Sequence, residues 1–199
     1  AVEHHRAAAE MKHIAIAGNI GAGKTTLLRS IMGLLKPTAG RIQIDGMDMT
    51  AVDGYERAHH QIGYMPEDRR LVPDLTVEEN VLVPAWATGL ADPEARLKWV
   101  YSLMPEVEKF APRRAISLSG GQQKLVALAR ALMVGRKVIL LDEPFEGVAP
   151  MLCKRLVDVI SALKSEGMSV LISESDCTHT HGVVDHSYVI ERGSVTNGC

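Results

Sequence analysis

The chain has 199 residues and a mass of 21.6 kDa, with 46% hydrophobic residues, 23% charged residues and a formal net charge of −2. This suits one globular domain with a real core, and the near-neutral balance leaves no electrostatic footprint for nucleic acid or an anionic membrane. No segment reaches the roughly 18 continuous apolar residues of a membrane span; the uncharged "VLVPAWATGLA" (81–91) is short and interrupted by Pro84 and Gly89. Cys153, Cys177 and Cys199 form no C-x-x-C pair and no disulfide framework, which fits a reducing cytosol. "AVEHHRAAAE" has no apolar core, so no signal peptide is expected.

Residues 1–11 read as a polar, Ala-rich leader. "HIAIAG" (13–18) reads as a buried strand, and "KTTLLRSIMGLL" (24–35) as the helix after it, ended by Gly33 and Pro37. "GRIQIDGMDM" (40–49) alternates Ile42 and Ile44 with polar residues, which predicts an edge strand or a hairpin closed at Asp45-Gly46. "QIGYMPE" (61–67) is a further strand, stopped by Pro66. Residues 76–110 have helical spacing, interrupted by "ATGLADPEA" and Pro105. Ser119 is placed to cap a helix over about 122–134. "KVILLDEP" (137–144) is a continuous apolar run ending in two acids, as a buried parallel strand would be. A helix over about 150–166, a strand at 169–173 and a hairpin over 187–195 turning at Arg192-Gly193 complete the chain. Strands alternating with helices predict an α/β domain with a mostly parallel sheet.

"GNIGAGKTTLLR" (18–29) carries G-x-x-x-x-G-K-[ST] in Gly18, Gly23, Lys24 and Thr25. Gly21 and Gly23 let backbone N–H groups turn inward around phosphates. Lys24 then reaches the β/γ-phosphates, and the Thr25 hydroxyl sits on Mg²⁺. The helix N-terminus adds its dipole. Standing alone, the stretch looks much like a deoxynucleoside kinase, or equally the first motif of an ABC-type ATPase. "VILLDE" supplies the second half of a site. Asp142 is expected to hold the metal through water, and Glu143 to orient or deprotonate the attacking water. Two adjacent acids leaving a buried strand are costly unless something cationic pairs with them.

"ISLSGGQQKLVALARAL" (116–132) presents Ser119-Gly120-Gly121 at a helix N-terminus, a second anion-binding feature. One chain offers only one phosphate loop for it to serve. A head-to-tail dimer, in which each such segment caps the partner's nucleotide, resolves this. Lying between the two nucleotide motifs, the segment resembles the signature of the ABC ATPases. The resemblance covers nearly all of 13–195 and is nearest to the ATP-binding subunits of branched-chain amino acid importers. "YMPEDRRLVPDLTVEENV" (64–81) resembles the Q-loop region of that group, "RLKWVYSLMPEVEKF" (96–110) its helical subdomain, and "LDEPFEGVAP" (141–150) its Walker B and D-loop.

The resemblance implies a P-loop NTPase fold of ABC type, with a mostly parallel sheet, a helical subdomain and a reduced antiparallel β-subdomain. A single domain over 1–199 is expected, with 12–75 and 112–195 as the RecA-like core and about 76–111 as the helical subdomain. It implies ATP and Mg²⁺, a second ATP-binding subunit, membrane permease partners and a peripheral place on the cytoplasmic membrane face. The implied nucleotide contacts are Gly18, Asn19, Gly21, Ala22, Gly23, Lys24, Thr25 and Thr26, with Ser119, Gly120, Gly121 and Gln122 of the signature. Thr25, Glu67 and Asp142 are the implied metal ligands, and Glu143, Lys24 and Ser175 the catalytic set.

Four features depart from the family pattern. Glu67 stands where most relatives carry Gln. In "SESD", Ser175 falls where the switch His belongs, which predicts reduced rather than abolished hydrolysis. Phe145 and Ala149 replace the usual Ser and Asp of the D-loop, altering contact across the dimer. Only 17 residues precede Gly18, none of them aromatic, so this sequence is expected to lack the adenine-stacking residue and to bind the base weakly, whether it is a natural short form or a piece of a longer chain. The C-terminus also stops sooner than in the family. Apolar surface that the two extra strands usual in the family would cover is expected to be exposed.

Weaker signals carry less. Cys177, His179 and His181 could offer metal ligands, but a polar segment explains them as well. Arg69-Arg70 suit either a permease contact or a solvated pair. Trp86, Trp99 and Tyr101 are expected to pack the helical subdomain. Two other functions stay open: a nucleoside kinase, and a nucleotide-gated interaction module without turnover.

Overall fold

The computed structural model describes residues 13–18, 21, 23–175, 179–180 and 182–198. Six strands form one sheet in the order β4 (Ile62–Met65), β5 (Val138–Asp142), β6 (Ser169–Glu174), β1 (His13–Ala17), β7 (His186–Glu191) and β8 (Ser194–Asn197). The first five run parallel, and β8 returns antiparallel to β7. The β7–β8 turn uses Arg192 and Gly193 at φ 48° and 79°, as the sequence suggests. A separate two-stranded hairpin, β2 (Gln43–Ile44) and β3 (Met47–Asp48), closes at Asp45 and Gly46, with φ 51° and 77°. The sheet reads as near-continuous apolar runs because helices cover both faces.

On one face, Ile16, Leu28, Met49, Ile62, Leu140 and Ile190 form a core beneath α1 (Lys24–Ile31). On the other, α6 (Gly120–Val134) and α7 (Pro150–Ser165) bury Leu125, Leu128, Leu132, Leu156 and Ile160 against the sheet. α6 is buried along nearly its whole length because a second layer lies above it. That layer is α3 (Val77–Thr88), α4 (Pro93–Leu103) and α5 (Pro105–Phe110), which contribute Val81, Val100, Met104 and Val107. The short α2 (Gly54–His59) leads into β4.

Several local readings change. α1 stops at Ile31, well before residue 35. Arg57, 1% exposed, donates to the Ser30 and Ile31 carbonyls, which a further helical turn would have used. α3 runs through Pro84 and ends at Thr88, with Gly89 in the left-handed region at φ 61°. The ring costs one backbone bond, and the Thr88 hydroxyl takes up the Pro84 carbonyl at 2.8 Å. α6 begins at Gly120 rather than near 122 because Ser119 and Gln122 form a reciprocal capping box. Trp86 is 56% exposed and does not pack in the helical layer, whereas Tyr101 is buried. Trp99 lies under the Arg96 guanidinium at 3.7 Å and donates to Glu166.

An apolar groove of about 400 Å³ lies between α1, the β2–β3 hairpin and the sheet, lined by Ile14, Leu27, Ile31, Ile42, Val138 and Leu171 among others. No helix among the described residues is long and apolar enough to cross a membrane.

Candidate nucleotide-binding site

The C-terminal ends of β1, β5 and β6 meet at one edge of the sheet, where open α/β sheets bind ligands. The register pairs Ala17 with Glu174 and Asp142 with Ser173, so the phosphate loop and both acidic strand ends share one layer. Gly21, Gly23, Lys24, Thr25, Thr26, Glu67, Glu143, Glu146 and Ser175 line a cleft of about 220 Å³ there. Gly21 and Gly23 have φ of 83° and 100°, which side-chain-bearing residues rarely adopt. Gly18 stands at the head of the loop, and its carbonyl accepts from Lys24 Nζ at 2.5 Å. Asn19 and Ala22 lie outside the described residues.

Asp142, 1% exposed, is held from three sides. The hydroxyls of Ser173, Thr25 and Tyr64 donate to it at 2.6, 3.1 and 3.2 Å. Burial first, and then the Asp142 charge, push the Tyr64 phenol up to about 12, which keeps it a donor. A hydroxyl and a carboxylate side by side form a hard, all-oxygen donor set that suits Mg²⁺. Glu67 lies on the same cleft, and burial followed by Glu146, Asp142 and Glu143 raises its pKa. The residues present therefore fit an Mg²⁺-bound phosphate chain.

Glu143 turns out of β5 with φ 47°, so its side chain folds back toward the phosphate loop. Ser175 donates to it twice, through its hydroxyl at 2.7 Å and its backbone N–H at 3.0 Å. Lys24 Nζ lies 3.3 Å from the same carboxylate and 3.4 Å from Ser175 Oγ. The cationic pairing that two buried acids demand thus comes partly from Lys24. It also comes from Lys124, 4% exposed on α6, whose ammonium donates to the Glu143 carbonyl at 2.5 Å. Sequence reasoning passed over Lys124, Tyr64, Ser173 and Glu146. The one signal for Lys124 is a cation that opens the apolar run Leu125–Ala129 of α6.

The signature is not brought to this cleft. Ser119 and Gly120 are exposed elsewhere on the chain, where Ser119 Oγ accepts from the Gln122 N–H at 3.3 Å and the Gly120 carbonyl accepts from Arg69 at 3.1 Å. Gly121 and Gln122 follow in the first turn of α6. Arg69 is thereby tied within the chain, and Arg130 donates to the carbonyls of both Arg69 and Arg70. Phe145 is 5% exposed and stacks on His179 at 5.3 Å, so its side chain turns into its own domain and offers no surface to a partner. Among the described residues no three His, Cys, Asp or Glu side chains gather so as to hold a metal ion by themselves, so a cation at this cleft would also need hydroxyl and phosphate oxygens; Cys177 and His181 lie outside the described residues.

A phosphate loop, a buried strand acid, a following glutamate and a capped Ser-Gly-Gly helix on this sheet order define a nucleotide-binding domain of the P-loop class. Residues 7–146 match the family described as ABC transporter, and the chain belongs to that family. It is 32% identical over 182 residues to the high-affinity branched-chain amino acid transport ATP-binding protein BraG of Pseudomonas aeruginosa, covering 92% of this chain and 78% of that protein. It is 33% identical to the lipopolysaccharide export system ATP-binding protein LptB of Haemophilus influenzae, covering 92% and 76%. The ADP conformation of an ATP-binding cassette of an ABC transporter superposes with a TM-score of 0.81 at 30% identity, covering 94% of this chain and 80% of that one. A dimeric bacterial ABC transporter cassette gives 0.81 at 26% identity, covering 94% and 85%.

Proposed function

We propose that this chain binds and hydrolyses ATP as the nucleotide-binding subunit of an ABC importer, with branched-chain amino acids as the transported class. The observation that carries the ATPase reading is the convergence of Lys24, Thr25, Asp142, Glu143 and Ser175 on one cleft. Similarity to BraG and to the LivF protein of Archaeoglobus fulgidus supports the solute class. Similarity to LptB at comparable identity makes lipopolysaccharide export the competing cargo.

In this reading 12–75 and 112–195 form the RecA-like core and about 76–111 the helical subdomain. The loop N–H groups and Lys24 bind the triphosphate, with Gly18, Asn19, Gly21, Ala22, Gly23 and Thr26 around it. Thr25, Asp142 and Glu67 would hold Mg²⁺, which would supply charge neutralisation on the phosphate oxygens. Glu143 takes the proton of the attacking water, and Ser175 fixes its carboxylate. A hydroxyl there lacks the reach and charge of an imidazole, which supports a reduced turnover. The exposed Ser119 and Gly120, with the half-buried Gly121 and Gln122 behind them, cap the nucleotide of a second subunit, identical or paralogous. The pair works beneath a membrane permease as a peripheral assembly on the cytoplasmic face.

The test is reconstitution with the permease in liposomes, reading phosphate release and leucine uptake together. ATP-driven leucine uptake supports the proposal. Hydrolysis without uptake of any branched-chain amino acid removes the import reading alone. The presence of Ser175 in place of an imidazole favours a second reading, a nucleotide-gated module without turnover. ATP binding with no phosphate release, even with the permease added, would select it.

A further inference from the structure

Glu174 closes β6 one residue before Ser175 and is 5% exposed. Side chains alternate along the strand: Ser173 faces Asp142, and Glu174 takes the opposite face. There its Oε1 accepts the Phe145 N–H at 3.3 Å, across the turn that begins at Glu143. Two carboxyl groups therefore share one buried corner, and the donors divide unequally between them. Glu143 receives the Ser175 hydroxyl, the Ser175 N–H and the Lys24 ammonium. Among the described residues, Glu174 receives one backbone N–H.

Two adjacent buried carboxylates cannot both ionise cheaply, so one proton stays on the member with fewer donors. Burial first, and then the Glu143 charge, push Glu174 up to about 8, with Glu143 in hydrogen-bond reach. Among the described residues, the other groups facing it are Lys124 of α6, Cys153 of α7 and His179 beyond the Phe145 ring. Lys124 is engaged by the Glu143 carbonyl, and burial raises the pKa of the Cys153 thiol.

Resting on the ATPase reading above, we propose that Glu174 is a positioning residue for hydrolysis. As the neutral partner of Glu143, it donates its O–H to the Glu143 carboxylate and directs that carboxylate into the cleft. It also keeps a second negative charge out of the corner where the γ-phosphate sits. Glu174 touches neither nucleotide nor water itself.

The experiment compares the wild-type chain with Glu174→Gln in two readouts, the pH profile of kcat and the infrared carboxylic-acid carbonyl band. Wild type should show the band at pH 7 and lose kcat as pH rises through about 8, in step with loss of the band. Glu174→Gln should lack the band, lower kcat about threefold with KM held, and move the alkaline limb up by about one unit or more. An unchanged alkaline limb in Glu174→Gln, or no band in the wild type at pH 7, overturns the proposal. If the variant does not fold, the wild type decides: an alkaline limb that does not track the band overturns it. A wild type that hydrolyses no ATP at any pH refutes the ATPase reading and the positioning role with it. The band then still reports, separately, whether Glu174 holds a proton.

Discussion

Lys24 and Glu143 face each other at 3.3 Å, with side chains 5% and 10% exposed. In the proposed reading, the cation that would bind the phosphates also leans on the carboxylate that would take the water proton. A triphosphate must draw Lys24 away from Glu143 and from the Gly18 carbonyl. Glu143→Gln should therefore tighten ATP binding, by about tenfold, because it removes a competing charge from a buried pair. Lys24→Met should weaken binding by about 10- to 100-fold, the loss of a charge-assisted bond to phosphate. Titration with a fluorescent nucleotide reads both, and equal affinities in all three proteins would contradict the competition.

Ser175 holds the same carboxylate by two bonds. Ser175→Ala removes the hydroxyl bond at 2.7 Å and leaves the backbone one at 3.0 Å. Loss of one charge-assisted bond predicts a fall in kcat of about tenfold with KM little changed. An undiminished kcat would show that the backbone N–H alone fixes Glu143.

Ser119 has two separable roles. Its side chain caps α6, so Ser119→Ala should cost about 1 kcal/mol of stability. Ser119→Asp keeps a capping oxygen but adds a negative charge where a partner's triphosphate would approach. It should melt near the wild type yet fail to dimerise with ATP in light scattering. Full ATP-dependent dimerisation by Ser119→Asp would argue against a signature-capped nucleotide.

Arg57 is a buried guanidinium spent on the carbonyls of Val52, Ser30, Ile31 and Met49. It ties the end of α1 to the loop before α2, directly behind the phosphate loop's helix. Arg57→Met leaves those acceptors without their donor and should cost about 3–5 kcal/mol. Urea unfolding measures this, and a loss under about 1 kcal/mol would mean that water replaces the guanidinium.

His13 is fully buried at the start of β1, and neither ring nitrogen makes a hydrogen bond of good geometry among the described residues. Burial first, and then Lys164, lower its pKa from 6.5. The unfolded chain therefore binds the proton more readily than the fold does. Stability should be level above that value and fall as pH drops below it. His13→Leu should flatten this slope in urea midpoints taken between pH 5 and 7. An unaltered slope would assign the acid sensitivity to other groups.

Much of this was legible in the sequence, for reasons that are local. Asp45-Gly46 and Arg192-Gly193 set their turns by backbone preference alone. The β1–loop–α1 passage and the acids after β5 are contiguous motifs. What stayed hidden depends on elements far apart in the chain. Two of the three donors to Asp142 come from β4 and β6, so Tyr64 and Ser173 become visible only once β5 is known to lie between those strands. Lys124 reads as one solvated cation until α6 is seen to be buried on all sides. α1 stops early because of a side chain 26 and 27 residues on, at Arg57. Trp86 follows the helical spacing of its neighbours but faces outward, since hydrophobic character does not fix which side of a helix is covered.

The most direct test of the central claim is phosphate release by the purified chain and by Glu143→Gln under saturating ATP. The geometry predicts that the variant binds ATP at least as well as the wild type and turns it over about 10²- to 10⁴-fold more slowly. A Glu143→Gln protein that hydrolyses ATP at the wild-type rate would contradict it.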